Sequence, residues 1–163
     1  FDYYRSFDFA GRWSWLPWGM DKLPWDEVFL GFNYARIESE IDLGANPGLV
    51  TNAVRPLQGQ SPYVGNISLA WLPESGKYEA TLLYNVAGER ISRVGIQGIP
   101  DTLEQPFDQV DFTLSAALPW EGWKLKARLR NLLDPEAAYM VGDLVERRFR
   151  KGREVAFNVE WRF

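Results

Sequence analysis

The tightest constraint on this chain lies at its C-terminal end, where apolar and polar residues alternate with a period of two. Val155, Phe157, Val159, Trp161 and Phe163 form one set, and Ala156, Asn158, Glu160 and Arg162 form the other. Successive side chains of a strand point to opposite faces, so this stretch is a strand with one apolar and one polar face. A helix needs recurrence at three and four residues, and would scatter these charges around its circumference.

The same period returns upstream. Trp123, Leu125, Ala127 and Leu129 alternate with Lys124, Lys126, Arg128 and Arg130. Val110, Phe112, Leu114, Ala116 and Leu118 oppose Gln109, Asp111, Thr113 and Ser115. Ala80, Leu82, Tyr84 and Val86 oppose Glu79, Thr81 and Asn85, with Leu83 out of pattern. Ile67, Leu69 and Trp71 oppose Asn66 and Ser68, while Ala35, Ile37, Ile41 and Leu43 oppose Arg36, Glu38, Glu40 and Asp42. Phe7 and Phe9 against Asp8, with Tyr3 and Arg5, add a partial strand. The fold class is all-β.

Connection lengths are as regular as the strands. Pro73–Gly76 and Pro119–Gly122 hold four residues each, whereas Gly44–Tyr63, Arg93–Pro106 and Leu132–Gly152 hold 20, 14 and 21. Short turns at one end and long loops at the other are the asymmetry of an antiparallel transmembrane β-barrel. A tilted spanning strand needs about 9–11 residues, and the segments 107–118 and 153–163 are at least that long. The segments 29–43 and 77–92 are longer, as hairpins projecting beyond a bilayer would be. Ser14–Asp26, with Trp15, Pro17, Trp18, Pro24 and Trp25, is long for the short-turn end and reads as an irregular excursion.

Composition supports the barrel and excludes several chemistries. Eight Trp, seven Tyr and ten Phe are many for one small core, but suit aromatic girdles at the two membrane interfaces. The absence of Cys and His removes thiol nucleophiles, disulfides, histidine bases and nearly every transition-metal arrangement. A net charge of −4 and a pI near 5.0 speak against nucleic acid as a partner. Arg147, Arg148, Arg150, Lys151 and Arg153 form a local basic cluster. It reads as a solvated loop, or as a contact for anionic lipopolysaccharide or another acidic partner. No apolar run approaches the roughly 18 residues of a spanning helix. The opening Phe1-Asp2-Tyr3-Tyr4 lacks the features of a signal peptide, so a mature or excised piece is expected.

In hydrocarbon every backbone amide must be satisfied internally, so a sheet there has to close. Three architectures are open: part of a wide barrel, a self-contained eight-stranded barrel, and a soluble β-fold. The polarity pattern places Lys124, Lys126, Arg128 and Arg130 on the inner face of one strand, and Glu38, Glu40 and Asp42 on that of another. Asp108 with Asp111, or Glu38 with Glu40, could be offered as acid/base pairs, but a polar wall supplies such pairs incidentally. No enzyme activity and no cofactor are expected. Glu38, Glu40 and Asp42 could hold calcium; solvated wall is the simpler reading. Gly95-Ile96-Gln97-Gly98 lacks the spacing of a phosphate loop. Trp13, Trp15, Trp18 and Trp25 could stack on sugars, although anchoring at an interface also explains them. Asn131 and Asp134 are placed to shape the exit from the penultimate strand, since short polar side chains bond nearby backbone.

A family resemblance rests on these same segments. Asn131-Leu132-Leu133-Asp134-Pro135-Glu136, followed by Tyr139, resembles the Asn-Leu-hydrophobic-Asp segment near the end of TonB-dependent outer-membrane receptors. Lys151-Gly152-Arg153 resembles the approach to their last strand, and Val155 to Phe163, ending in Trp161-Arg162-Phe163, resembles that strand. Leu57-Gln58-Gly59-Gln60-Ser61-Pro62-Tyr63 with Asn66, Leu83-Tyr84-Asn85 with Gly88-Glu89-Arg90-Ile91, and Gly98-Ile99-Pro100-Asp101 to Glu104-Gln105-Pro106 continue the likeness over about two-thirds of the chain. The resemblance implies that residues 1–163 are the C-terminal strands of a 22-stranded barrel in the outer membrane of a Gram-negative bacterium. It implies import of a large or scarce ligand: a siderophore, a cobalamin-like compound, a glycan or a peptide. Implied partners are membrane lipid and lipopolysaccharide, the plug domain and remaining strands of the receptor, TonB through a missing N-terminal part, and a possible surface lipoprotein. The family-motif and barrel-closing residues are then Asn131, Leu132, Asp134, Tyr139, Gly152, Arg153, Trp161 and Phe163, with Phe163 the biogenesis signal. The alternative is a small self-contained barrel with a structural or adhesive role.

Overall fold

A computed structural model describes residues 3–15, 27–45, 48–73 and 75–162, with side chains described from Val28 onward. It is all-β, 65% strand, with no helix among the described residues, and its sheets are antiparallel. In chain order the strands are β1 (Tyr3–Trp15), β2 (Glu27–Asp42), β3 (Val54–Arg55), β4 (Tyr63–Leu72), β5 (Tyr78–Ala87) and β6 (Arg90–Arg93). They continue with β7 (Thr102–Glu104), β8 (Phe107–Ala117), β9 (Trp123–Arg130), β10 (Glu136–Val141), β11 (Leu144–Arg150) and β12 (Glu154–Trp161). The main sheet runs β1-β2-β4-β5-β8-β9-β12, with β3 on the side of β2, and curls into a half-barrel. The other sheet has the order β11-β10-β7-β6.

Directly opposed residues of antiparallel strands share a face, so the register sorts every side chain. Across β12, β9, β8 and β5, Phe157 opposes Ala127, Ala127 opposes Leu114, and Leu114 opposes Ala80. Leu82 opposes Leu69, which opposes Leu30. One face is therefore apolar from β2 to β12. The other carries Asn33, Asn66 and Asn85 in one row, and Thr81, Thr113 and Arg128 in another. Leu83, the exception to the alternation, sits on this polar face between Ser68 and Asp111.

Nothing among the described residues covers the apolar face. Leu69 is 46% exposed and Phe157 70%, and among the described residues the buried aliphatic side chains, Ile91 and Ala137, belong to the smaller sheet. Contiguous exposed apolar surface on this scale marks a protein or membrane interface. Aromatic residues border it at both ends. Trp71, Tyr78, Trp123 and Trp161 lie beside the short turns, with Trp123 and Trp161 stacked at 6.0 Å. Tyr34, stacked on Tyr63 at 6.5 Å, and Tyr84 lie toward the other end. Trp71 lies eight residue steps beyond Tyr63, about 27 Å of strand. Tilted by about 40°, that spans about 20 Å, near the ~25 Å apolar band of a membrane barrel.

Three expectations need correction. Glu38, Glu40 and Asp42 do not face the same way as Lys124 and Lys126. Arg36 opposes Tyr63, so the even residues of β2 continue the face of Leu30, Phe32 and Tyr34. Their polarity inverts because β2 runs on past the start of β4, out of the apolar band. The segment 77–92 is not one strand: β5 stops at Ala87, and the chain turns away at Gly88. There Gly88 N donates to Tyr63 O and Ser61 Oγ donates to Gly88 O, while a Cβ would overlap the Tyr63 ring. The three long connections are not plain loops either, since they contain β3, β7, β10 and β11, while β6 follows the turn at Gly88 and ends where the second of them begins. Residues 16–26, most of the expected excursion, lie outside the described residues; Ser14 and Trp15 pair with Phe29 and Val28 at the end of β1.

Candidate functional site

The long-connection end gathers two polar constellations. The first is the turn leaving β9. Asn131 and Asp134 have positive φ, 55° and 49°, a conformation that Asn and Asp tolerate better than most residues. Asp134 N donates to Asn131 O at 3.0 Å, closing the turn. Its carboxylate accepts from Gly152 N at 2.9 Å, and Asn131 Nδ2 donates to Gly152 O at 2.6 Å. Gly152 has a φ of 85°, which suits its lack of a side chain. Arg153 Nε donates to Leu132 O at 2.8 Å. The two ends of the β10–β11 hairpin are thus clasped together before β12 begins. Leu132 N donates to Val110 O, and Asn131 N to Asp111 Oδ1 at 2.9 Å, fastening the clasp to β8.

Asp134→Ala should destabilise this clasp by about 2–3 kcal/mol. It removes a hydrogen bond to a charged acceptor and puts a Cβ-bearing residue without a local polar bond in the left-handed region. Asp134→Asn keeps an acceptor and should cost about 1 kcal/mol or less. Hydrogen exchange across residues 131–153 would measure both; equal protection in the two variants would contradict the clasp.

The second constellation is the loop sheet. Glu104, only 7% exposed, accepts from Arg90 Nε at 2.7 Å. Burial alone would raise its carboxyl, but the hydrogen bond and charge of Arg90, helped by the Tyr139 hydroxyl and Lys151, hold it below the ordinary value. Arg90 is shifted up chiefly by the same hydrogen bond. Tyr139 stacks on Phe149 at 6.1 Å, and the Arg147 guanidinium lies over its ring at 4.2 Å. Beside this, Asp101 accepts from Gly95 N at 2.6 Å and from Asn52 Nδ2 at 2.9 Å. Thr51 N donates to Gly95 O, and Gln97 N to Leu49 O. The segment after β2 is thereby tied to the one after β6.

Because the Glu104 carboxyl is depressed in the folded chain, its contribution is complete above the unfolded value near 4.5. It is lost as pH falls through the lower folded value. The β6–β7–β10 region should therefore loosen on acidification below pH 4.5. Glu104→Gln should remove that acid-dependent loss, as read by protease cleavage in this region against pH. An unchanged acid limb in Glu104→Gln would rule the pair out as its cause.

The site residues named from sequence are not all together. Asn131, Leu132, Asp134, Gly152 and Arg153 meet in the clasp, whereas Tyr139 belongs to the loop sheet. Trp161 is at the opposite end of the main sheet, where Arg162 N donates to Gly122 O in the β8–β9 turn. Phe163 lies outside the described residues. Asp108 and Asp111 do not form a pair: the register puts them on opposite faces, with Asp108 3.4 Å from the Tyr84 hydroxyl. Glu38 pairs with Arg36 at 3.2 Å, and no cluster of three metal-binding side chains occurs among the described residues. Sequence reading places Asp101, Arg90 and Glu104 in the family likeness but misses the Asn52–Asp101 and Arg90–Glu104 contacts, whose partners are 49 and 14 residues apart. Gly95 beside a Pro-Asp turn was the available signal. Comparison with protein-family models, curated proteins and solved structures finds no match.

Proposed function

We propose that this chain is the C-terminal part of the wall of a TonB-dependent transporter, a barrel in the outer membrane of a Gram-negative bacterium. The observation that carries this reading is the half-barrel whose apolar face is left uncovered between two rows of aromatic side chains. Lipid is the solvent such a face fits, and a bilayer permits sheets only when they close. The unequal ends support the same reading, with five-residue turns between β4 and β5 and between β8 and β9 at one and a hydrogen-bonded loop assembly at the other. β1 and β12 are the two ends of the sheet order, so further strands between them would complete the wall.

On this reading the remaining strands and a plug domain come from the same polypeptide. The plug lies against the polar face, TonB engages a segment outside this chain, and the loop sheet faces the ligand at the cell surface. The cargo is a large or scarce compound such as a siderophore, a cobalamin-like compound, a glycan or a peptide. Lipopolysaccharide and a capping lipoprotein are the neighbours expected at the loop end. A self-contained barrel with an adhesive role is the competing reading. Intact mass of the native membrane protein separates the two. Transport requires a mass several times 18.8 kDa with a plug sequence upstream, whereas a mass near that value would favour adhesion.

A further inference from the structure

A cavity of about 400 Å³ opens between the segment around β3 and the β6–β7 hairpin. It is at the small end of the range for ligand pockets, which combine apolar walls with a few placed polar groups. Val54, Pro62, Ile91 and Leu103 supply apolar wall, and Arg55 and Gln60 line it with them. Most charged groups here are already engaged. Asp101 accepts from Gly95 N and Asn52, Glu89 accepts from Gln105 at 2.7 Å, and Arg90 is bound to Glu104.

Arg55 is different. Its Nε is shut away from solvent and donates to nothing, and Nη1 makes only a 3.4 Å contact with Pro56 O. No carboxylate pairs with it among the described residues, although Glu40 and Asp42 flank Ile41, its register partner. A guanidinium presents a planar fork of donors that fits a carboxylate two-pronged. β3 places Arg55 in the cavity wall by pairing with β2, and Leu43 N bonded to Ala53 O secures the pairing.

We propose that this cavity binds a small organic carboxylate, whose anionic end takes the outer nitrogens of Arg55 while its hydrocarbon body lies against Val54, Pro62, Ile91 and Leu103. The side-chain amide of Gln60 supplies a second polar contact. Both ligand features matter: the fork selects the anion, and the apolar wall selects an organic acid over an inorganic one. The site is made wholly by residues of this chain and does not depend on the transport reading.

The test is calorimetric titration of the native polypeptide in detergent with benzoate, benzamide and inorganic phosphate. Benzoate should bind at least tenfold more tightly than benzamide, its neutral isostere, and more tightly than phosphate. Arg55→Gln should weaken benzoate at least tenfold, and Arg55→Lys should weaken it less. Equal binding of benzoate and benzamide, or no benzoate binding, overturns the proposal on the unaltered protein, without reliance on any variant. Phosphate binding as tight as benzoate, or full affinity in a folded Arg55→Gln, overturns it as well.

Discussion

Leu82→Arg is expected to cost about 2–4 kcal/mol of stability in a bilayer, the penalty for a cation near the middle of a barrel's lipid face. Leu82 lies mid-strand on the apolar face, opposed by Leu69 on one side and Phe112 on the other. Its neighbour Thr81 faces the polar side, opposite Thr113. Thr81→Arg should therefore change stability by about 1 kcal/mol or less. Because the apolar face is uncovered, with Leu82 itself 41% exposed, the contrast between adjacent positions is what the same face in water would not produce. On a face bathed by water, arginine at Leu82 would be close to neutral, as surface substitutions generally are. Denaturant unfolding of the native polypeptide in lipid vesicles reads both variants. Equal costs at 81 and 82 would count against lipid on the apolar face.

Gly95→Ala should be as damaging, but only at the loop end. A Cβ there would overlap the Ile99 carbonyl oxygen and the Pro100 carbonyl, and these nearest atoms are backbone rather than the end of a flexible side chain. The strain of overpacking and the loss of the bond to Asp101 together come to about 3–5 kcal/mol. Gly98→Ala is the control. Gly98 has a φ of 84° but open space around it, so its cost is the 1–2 kcal/mol or so of a left-handed alanine. Exchange protection at Thr51 and Gln97 should fall in Gly95→Ala while that of β5 and β8 holds. Protection lost equally throughout would mean that the loop assembly and main sheet unfold as one.

The strands of the main sheet were legible because a half-exposed strand writes its two faces into alternate residues. β5, β8, β9 and β12 begin and end within about two residues of the alternating segments, a normal uncertainty for such boundaries. Faces were less legible than strands. Glu38, Glu40 and Asp42 look like inner wall when polarity alone marks a face, whereas parity along the strand marks it. Once β2 leaves the apolar band, the outward side turns polar and the alternation changes sign without changing register. The loop sheet was hidden for another reason. β6, β7 and β3 are four, three and two residues long, too short for any periodicity. They are held by partners distant in sequence, as with Arg90 and Glu104 or Asn52 and Asp101. The clasp was partly visible, since Asn131 and Asp134 are residue types that bond local backbone. Their partner Gly152 is 21 and 18 residues away, so spacing alone could not join them.

The central claim is that one face of the sheet meets acyl chains and the other does not. The most direct test places single cysteines from Val155 to Glu160 in the native polypeptide and labels each with an environment-sensitive fluorophore. The chain has no cysteine of its own, so each label in this region reports one site. In membranes doped with lipids brominated on the acyl chain, quenching and blue-shifted emission are expected at 155, 157 and 159. Positions 156, 158 and 160 should show neither. Quenching that does not alternate along β12, or water-like emission at all six positions, would contradict a lipid-facing wall.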